Sequence, residues 1–332
     1  MDSVALYLQD DFTMQEAIGH VRYAEARGFD AVWQGETRFV RDSMVAVAAY
    51  TTVTSRIKIG MGVANIFTRH ATALASSLVT MDDVAPDRIL CGLGAWDDYH
   101  AQMAGINRGK HMLAMREVVN AVRALLRLEP VTFRGEFITL NNLQIDVRNG
   151  RTDPRRIPIY VGATGPKMLA LAGDIADGVL LNYMVSPRYN DMALQQLETG
   201  LQQAGRTLYD IDRPQLIMCS VDSNREVALQ AARTVVLQYI LHQPQLMRAN
   251  GVPGQLIEDV GQLQPRQAEE LAQVARMIPD DVVQLVTASG TPSEVRAKVR
   301  EYVRAGASSP VLYPLNGKVR DLIDAFASGY SA

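Results

Sequence analysis

Short apolar runs alternate with longer amphipathic stretches along most of this chain. Val4–Leu8 is apolar apart from the Tyr7 hydroxyl and reads as a first strand. From about Thr13 to Arg27 apolar positions return at helical spacing, which marks a helix with one buried face. Thr13 with Glu16 three positions on is a capping-box pair, and Gly28 falls where a left-handed residue closes a helix. The same rhythm predicts strands at Asp30–Gln34, Ile57–Val63, Arg88–Gly94, Ile157–Val161, Gly178–Asn182, Gln215–Val221 and Pro310–Tyr313. Helices fall between them, the second over about Asp42–Thr54. Parallel strands need a crossover, usually a helix, so the pattern is that of a parallel α/β sheet. Eight strands favour closure into a (β/α)8 TIM barrel over an open doubly wound sheet. No Gly-x-Gly-x-x-Gly follows the first strand, which argues against a dinucleotide-binding fold.

Two stretches break the rhythm. Residues 130–150 alternate apolar and polar positions around Gly135 and predict a β-hairpin excursion. Residues 242–280 are rich in Gln and punctuated by Pro244, Pro253 and Pro265, which predicts a helical insertion before the last barrel strand. Neither has the composition of a flexible linker, so one domain over 1–332 is expected.

Composition narrows the function classes. Hydrophobic residues make up 48% and charged residues 21% of the 332 positions, ordinary for a soluble globular protein. Thirty-three basic against thirty-six acidic residues give a net charge of −3, which disfavours a nucleic-acid partner. No apolar run approaches the roughly 18 residues of a membrane span. The N-terminus has no basic segment leading an apolar one, so a cytoplasmic setting is expected. Cys91 and Cys219 lie in apolar runs and read as small buried side chains, too few for a disulfide framework or a cysteine zinc site.

In a (β/α)8 barrel the chemistry sits at the C-terminal ends of the strands. There the sequence offers Glu36 after strand two, Met61-Gly62-Val63-Ala64-Asn65 and His70 after strand three, Trp96-Asp97-Asp98 after strand four, Gly162-Ala163-Thr164-Gly165-Pro166-Lys167 after strand five, and Asn182 at the end of strand six. The Gly162–Lys167 run has what a phosphate cradle needs. Its glycines allow close backbone approach, Pro166 suits the first helical position, the helix start aims N–H groups outward, and Lys167 adds a charge. An ordinary strand-to-helix turn has the same composition. Gly92 and Gly94 either admit a flat ligand or relieve crowding inside the barrel. Asp97 and Asp98 stand beside Trp96, where an aromatic wall can raise a carboxyl pKa and suit it to proton transfer. Solvated loop acids are the alternative for both, and for Glu36. His70 is the histidine placed near the mouth; His20, His100, His111 and His242 read as non-ligands, and no set of side chains has metal-binding spacing.

Several segments together resemble one family. They are Gly28–Trp33, Ile57–Asn65 with Thr68-Arg69-His70, Asp87–Ala95, Pro158–Lys167 continuing into Leu171-Ala172-Gly173 and Ala176-Asp177-Gly178, Gly290–Val295, and Ala305-Gly306-Ala307. The pattern resembles the luciferase-like monooxygenase superfamily, in its coenzyme F420-dependent branch with methylenetetrahydromethanopterin reductase. The resemblance implies a flavin or 5-deazaflavin at the barrel mouth. It also implies a non-prolyl cis peptide at Gly62–Val63 behind the ring, cofactor phosphate on Gly162–Lys167, and Asp97 near ring and substrate with Asp98 beside it. Glu36 is the polar candidate beside the reactive carbon. The implied activity is hydride transfer between C5 of F420 and a small organic substrate. An FMN-dependent monooxygenase and a non-catalytic flavin-binding barrel are the alternatives. The resemblance further implies a homodimer or higher homo-oligomer, for which Met44–Ala49 is apolar enough, although core burial explains that run equally well. The chain departs from the methanopterin reductases at the end of strand one, where Gln9, Asp10 and Asp11 stand in a shifted context. It departs from the sugar-phosphate oxidisers by having Glu36 instead of a histidine in the strand-two loop.

Overall fold

The computed structural model describes residues 3–36, 39–263, 265 and 267–327. In chain order its strands are β1 (Ala5–Leu8), β2 (Ala31–Gln34), β3 (Lys58–Met61), β4 (Ala64–Asn65), β5 (Ile89–Gly94), β6 (Val131–Arg134), β7 (Thr139–Leu143), β8 (Ile159–Ala163), β9 (Gly178–Leu181), β10 (Pro214–Val221), β11 (Ala288–Gly290) and β12 (Ser309–Pro314). The ring β1–β2–β3–β5–β8–β9–β10–β12 closes back on β1, and every pairing in it is parallel. This is the (β/α)8 barrel that the strand rhythm predicts. The fifth barrel strand begins at Ile159, two residues later than its apolar run.

Local chemistry explains the elements. The helix Met14–Ala26 starts on the Thr13–Glu16 capping box and ends before Gly28, whose φ of 87° only glycine adopts cheaply. Alternation along β1 sends Leu6 and Leu8 to the layer between barrel and helices, and Ala5 and Tyr7 to the lumen. The lumen is filled by Tyr7, Trp33, Leu90, Tyr160 and Leu180, with the Trp33 and Tyr160 rings edge to face at 5.0 Å. The barrel is thus packed below its mouth, and a ligand has room only above these rings.

Both excursions form. β6 and β7 are an antiparallel hairpin. Its turn is held by buried Glu117, which accepts from the N–H groups of Glu136, Phe137 and Ile138 at 2.9, 2.7 and 2.9 Å. Burial pushes this carboxyl up, but the three donors outweigh it and hold its pKa below the usual value. The insertion folds as helices Pro244–Ala249, Gly254–Leu263, Ala268–Ala275 and Asp280–Val286, packed on the helix Arg225–His242. Pro244 opens the first of these at a position that needs no N–H. The short strand β11, beside the upper end of β10, has no counterpart in the apolar pattern because Ala288-Ser289-Gly290 is too short and too polar to register. Cys91 and Cys219 are buried free thiols, and burial pushes Cys91 up to about 12. Among the described residues, no helix is long and apolar enough to cross a membrane.

Candidate active site

Two adjoining cavities open at the C-terminal ends of the strands. The smaller, about 260 Å³, is bounded by Tyr7, Val63, Asn65, Gly94, Thr164 and Asn182. The larger, about 690 Å³, extends from it past Gln9 and Tyr313 to Gln238 and Tyr239 on the helix Arg225–His242. Glu36, Trp96 and Tyr183 line both.

The wall between β3 and β5 is built around Val63. The chain leaves β3 through a cis Gly62–Val63 peptide, as the resemblance implies, and resumes as β4 against β5. The Val63 side chain then lies against three glycines. A Cβ on Gly94 would stand 2.2 Å from Val63 Cγ2, and Cβ atoms on Gly92 and Gly162 would stand 3.3 and 3.1 Å from Cγ1. Gly92 is tighter still, since its Cβ would meet the Met61 carbonyl oxygen at 1.9 Å. Both glycines relieve crowding around Val63, and Gly94 also borders the smaller cavity. Gly92 lies behind the wall and borders neither cavity, and Met61 and Ala64 are fully buried on the helix side. Of the Met61–Asn65 run, Gly62, Val63 and Asn65 border the smaller cavity, and Met61 and Ala64 do not.

A hydrogen-bond chain supports this wall from within the lumen. The Tyr7 hydroxyl donates to the Gly62 carbonyl at 2.9 Å, Gln9 Nε2 donates to the Tyr7 oxygen at 3.3 Å, and the Tyr313 hydroxyl donates to Gln9 Oε1 at 2.8 Å. The sequence reading missed Tyr7 and Tyr313. The period-two alternation of β1, which points Tyr7 inward, was the available signal.

The far side offers polar atoms. Asn65 Oδ1 accepts from the N–H groups of Phe67 and Thr68, at 2.7 and 3.2 Å, and fixes the turn after β4. Its Nδ2 is buried and has no partner. An unmet buried donor costs about 1–3 kcal/mol, so this one suits a ligand acceptor. Asn182 Nδ2 donates to Thr164 Oγ1 at 2.9 Å, and the Tyr189 hydroxyl donates to the Thr164 carbonyl. Gly162, Ala163 and Thr164 border the smaller cavity. Gly165, Pro166 and Lys167 continue onto the exposed rim, where the helix Pro166–Ile175 starts on Gly165 with no side chain capping it. A Cβ on Gly165 would meet nothing within 4 Å, so its surroundings are open.

The acids divide. Glu36 is clamped: Oε1 accepts from Arg69 Nη1 at 2.9 Å, and Oε2 accepts from Ser43 Oγ at 2.8 Å. Asp97 caps the helix Asp98–Met103, and its Oδ1 meets both the His100 N–H and His100 Nδ1 at 2.8 Å. Partial burial pushes its pKa up, but the two His100 contacts outweigh it and hold the carboxyl below its usual value. The raised pKa expected beside Trp96 is therefore corrected. Asp98 is exposed, pairs with Arg108 and borders neither mouth cavity. The histidines also exchange places relative to expectation. His70 caps the helix Ala71–Val84 through Nδ1, whereas His100 lines the larger cavity.

Residues 3–309 match the model of the luciferase-like monooxygenase family. The chain belongs to that family. It is 30% identical to the 5,10-methylenetetrahydromethanopterin reductase of Archaeoglobus fulgidus, over 91% of this chain and 90% of that one. It is 29% identical to the enzyme of the same name from Methanolobus tindarius, over 88% of each. The solved coenzyme F420-dependent tetrahydromethanopterin reductase of Methanopyrus kandleri superposes with a TM-score of 0.85, at 25% identity, over 97% of this chain and 96% of that one. In this luciferase-like chain, then, the segments after β3, β5, β8 and β9 meet around one cavity, with Glu36 at its edge. Met61, Ala64, Gly92 and Asp98 stand outside it, and among the described residues no cluster of three or more His, Cys, Asp or Glu could hold a metal.

Proposed function

We propose that the chain is an F420-dependent oxidoreductase that moves a hydride between the deazaflavin C5 and a small organic substrate. The relatives above support the chemistry, and the smaller cavity carries the reading for this chain. Val63 gives it a firm apolar wall, Asn65 Nδ2 offers an unpaired buried donor, and the open helix start at Gly165-Pro166-Lys167 suits a phosphate. When bound there, F420 supplies a carbon that carries a hydride. The rest falls to the protein. Val63 and Gly62 back the ring, Asn65 and Asn182 fix its edge, and Lys167 with the helix N–H groups holds the phosphate.

The larger cavity receives the substrate. Asp97 holds His100 Nδ1, which leaves Nε2 as the nitrogen to take or give the proton that accompanies the hydride. Glu36, fixed by Arg69 and Ser43, orients the substrate at the junction of the cavities. Of the apolar run proposed for a homodimer, Met44, Ala46 and Val47 lie in the protomer's own core and Val45 faces outward. Light scattering tests that dimer, and fractionation tests the cytoplasmic setting.

Parallel fluorescence titrations with F420 and FMN test the proposal. Saturable F420 binding without FMN binding is expected, followed by absorbance change with a hydride partner such as methylenetetrahydromethanopterin. Tight FMN binding without F420 binding overturns it in favour of the oxygen-using alternative.

A further inference from the structure

We propose that Tyr7, Gln9 and Tyr313 form a positioning relay, centred on Gln9, that ties the substrate cavity to the wall behind the cofactor. The inference rests on the F420 reading above and extends it to how the two cavities communicate.

The relay can run only one way. The Gly62 carbonyl is an acceptor, so the single Tyr7 proton is committed to it. Burial pushes the Tyr7 phenol well above its ordinary pKa, so that proton stays in place. The Tyr7 oxygen is then left to accept, and Gln9 Nε2 is the donor it meets. This fixes the Gln9 amide with Oε1 toward Tyr313, whose hydroxyl donates to it. A side chain at position 9 must therefore present a donor to one tyrosine and an acceptor to the other. An amide does this, but a carboxylate or a hydrocarbon does not.

The ends of the relay lie in different cavities. Gln9 and Tyr313 border the larger one, and Tyr7, Gly62 and Val63 border the smaller. The rings are packed in series as well. Tyr7 meets Tyr313 edge-on at 5.0 Å, and Tyr313 meets Tyr183 at 5.8 Å. A substrate that moves Tyr313 thus acts on Gln9, on Tyr7 and on the carbonyl next to Val63. The inner two members are closed to bulk water, with Tyr7 and Gln9 3% and 5% accessible, and the half-buried Tyr313 is the one that meets the larger cavity. The relay's role is to place the wall.

The test is an F420 fluorescence titration of wild type, Tyr7→Phe, Gln9→Leu, Gln9→Glu and Tyr313→Phe, with the absorption band of bound F420 and the melting temperature recorded for each. Tyr7→Phe and Gln9→Leu should each weaken F420 binding roughly tenfold and shift the bound absorption band, as expected for a lost buried hydrogen bond. A variant carrying both Tyr7→Phe and Gln9→Leu should bind no more weakly than Tyr7→Phe alone, since both changes cut one chain. Gln9→Glu should match Tyr7→Phe, because a carboxylate draws the Tyr7 proton away from Gly62. Tyr313→Phe, at the far end, should cost less, roughly threefold. Should Tyr7→Phe fail to fold, Gln9→Glu and Tyr313→Phe carry the test.

A purely structural role lowers melting temperature and leaves the affinity and spectrum of the folded protein unchanged. That result, additive losses in the double variant, or wild-type behaviour of Gln9→Glu overturns the relay. Absence of F420 binding by the wild type overturns the cofactor reading first, and the relay with it.

Discussion

Replacing Gly94 by alanine probes the cofactor wall most directly. The added methyl carbon would stand 2.2 Å from Val63 Cγ2, where carbon atoms ordinarily keep about 3.5–4.0 Å apart. Turning Val63 aside would give up the packing of its other methyl beside Gly92 and Gly162 and push the side chain into the cavity it borders. Either the Val63 side chain or its segment must therefore move toward that cavity. Overpacking of this kind costs about 1–3 kcal/mol. For 332 residues at about 2.1 cal/mol/K each, the unfolding entropy is about 0.7 kcal/mol/K, so 2 kcal/mol lowers the melting temperature by about 3 °C. Because the displaced side chain is the wall itself, F420 affinity should fall by about tenfold, or 1.4 kcal/mol. Thermal unfolding with and without F420, together with a fluorescence titration, reads both quantities. Adding Val63→Ala in the same chain should recover most of the lost stability, since it removes the clashing methyl. A Gly94→Ala variant that melts and binds like wild type, or one that Val63→Ala does not relieve, refutes the argument.

Four further outcomes follow from the geometry. Asn65→Asp keeps the acceptor for Phe67 and Thr68 but replaces the unpaired donor, so F420 affinity should drop by about tenfold or more; wild-type affinity removes Asn65 from the site. Lys167→Ala should weaken F420 by about threefold to tenfold and flatten its salt dependence without moving the melting temperature, which titrations at low and high ionic strength check. Asp97→Asn should lower turnover by about a hundredfold at unchanged F420 affinity, as loss of a proton-transfer partner does; steady-state kinetics with unchanged kcat would exclude the Asp97–His100 pair from the chemistry. Glu117→Gln leaves part of the hairpin turn unpaired and should cost about 1–3 kcal/mol at neutral pH. The folded Glu117 pKa is depressed, so its contribution is complete above the ordinary glutamate value and is lost as pH falls through the lower folded one. The melting-temperature gap between variant and wild type should accordingly close on acidification, and a gap that persists in acid contradicts the assignment.

The barrel was legible in the sequence because its strands are apolar on both faces and its helices on one. Each β/α unit therefore announces itself by period and length, down to the Thr13–Glu16 cap. Strand ends were legible for the same reason, and with them the segments that surround the mouth. What the sequence left open was the direction in which individual residues face there. Met61 and Ala64 stand beside Gly62, Val63 and Asn65 in the chain, yet a local reversal at the strand end sends them to the opposite side. Asp97 reads as a free acid until the turn of helix that brings His100 back against it is known. Tyr7 reads as core, and it is core; its hydroxyl matters only through a carbonyl 55 residues away, which no local pattern encodes.

The four helices between His242 and β11 share one core with the helix Arg225–His242, in which Met247, Val260, Val274 and Val283 pack with Leu229 and Val236 and with Met184 and Met218 at the barrel end. They do not line the larger cavity themselves; they buttress the helix Arg225–His242, whose Val235, Gln238 and Tyr239 do. The three side chains that this helix turns to the cavity can change while the buttress behind them stays, and the wall at Val63 packs on a different cluster. A lineage built this way can trade one hydride partner for another without reinventing the redox machinery beneath.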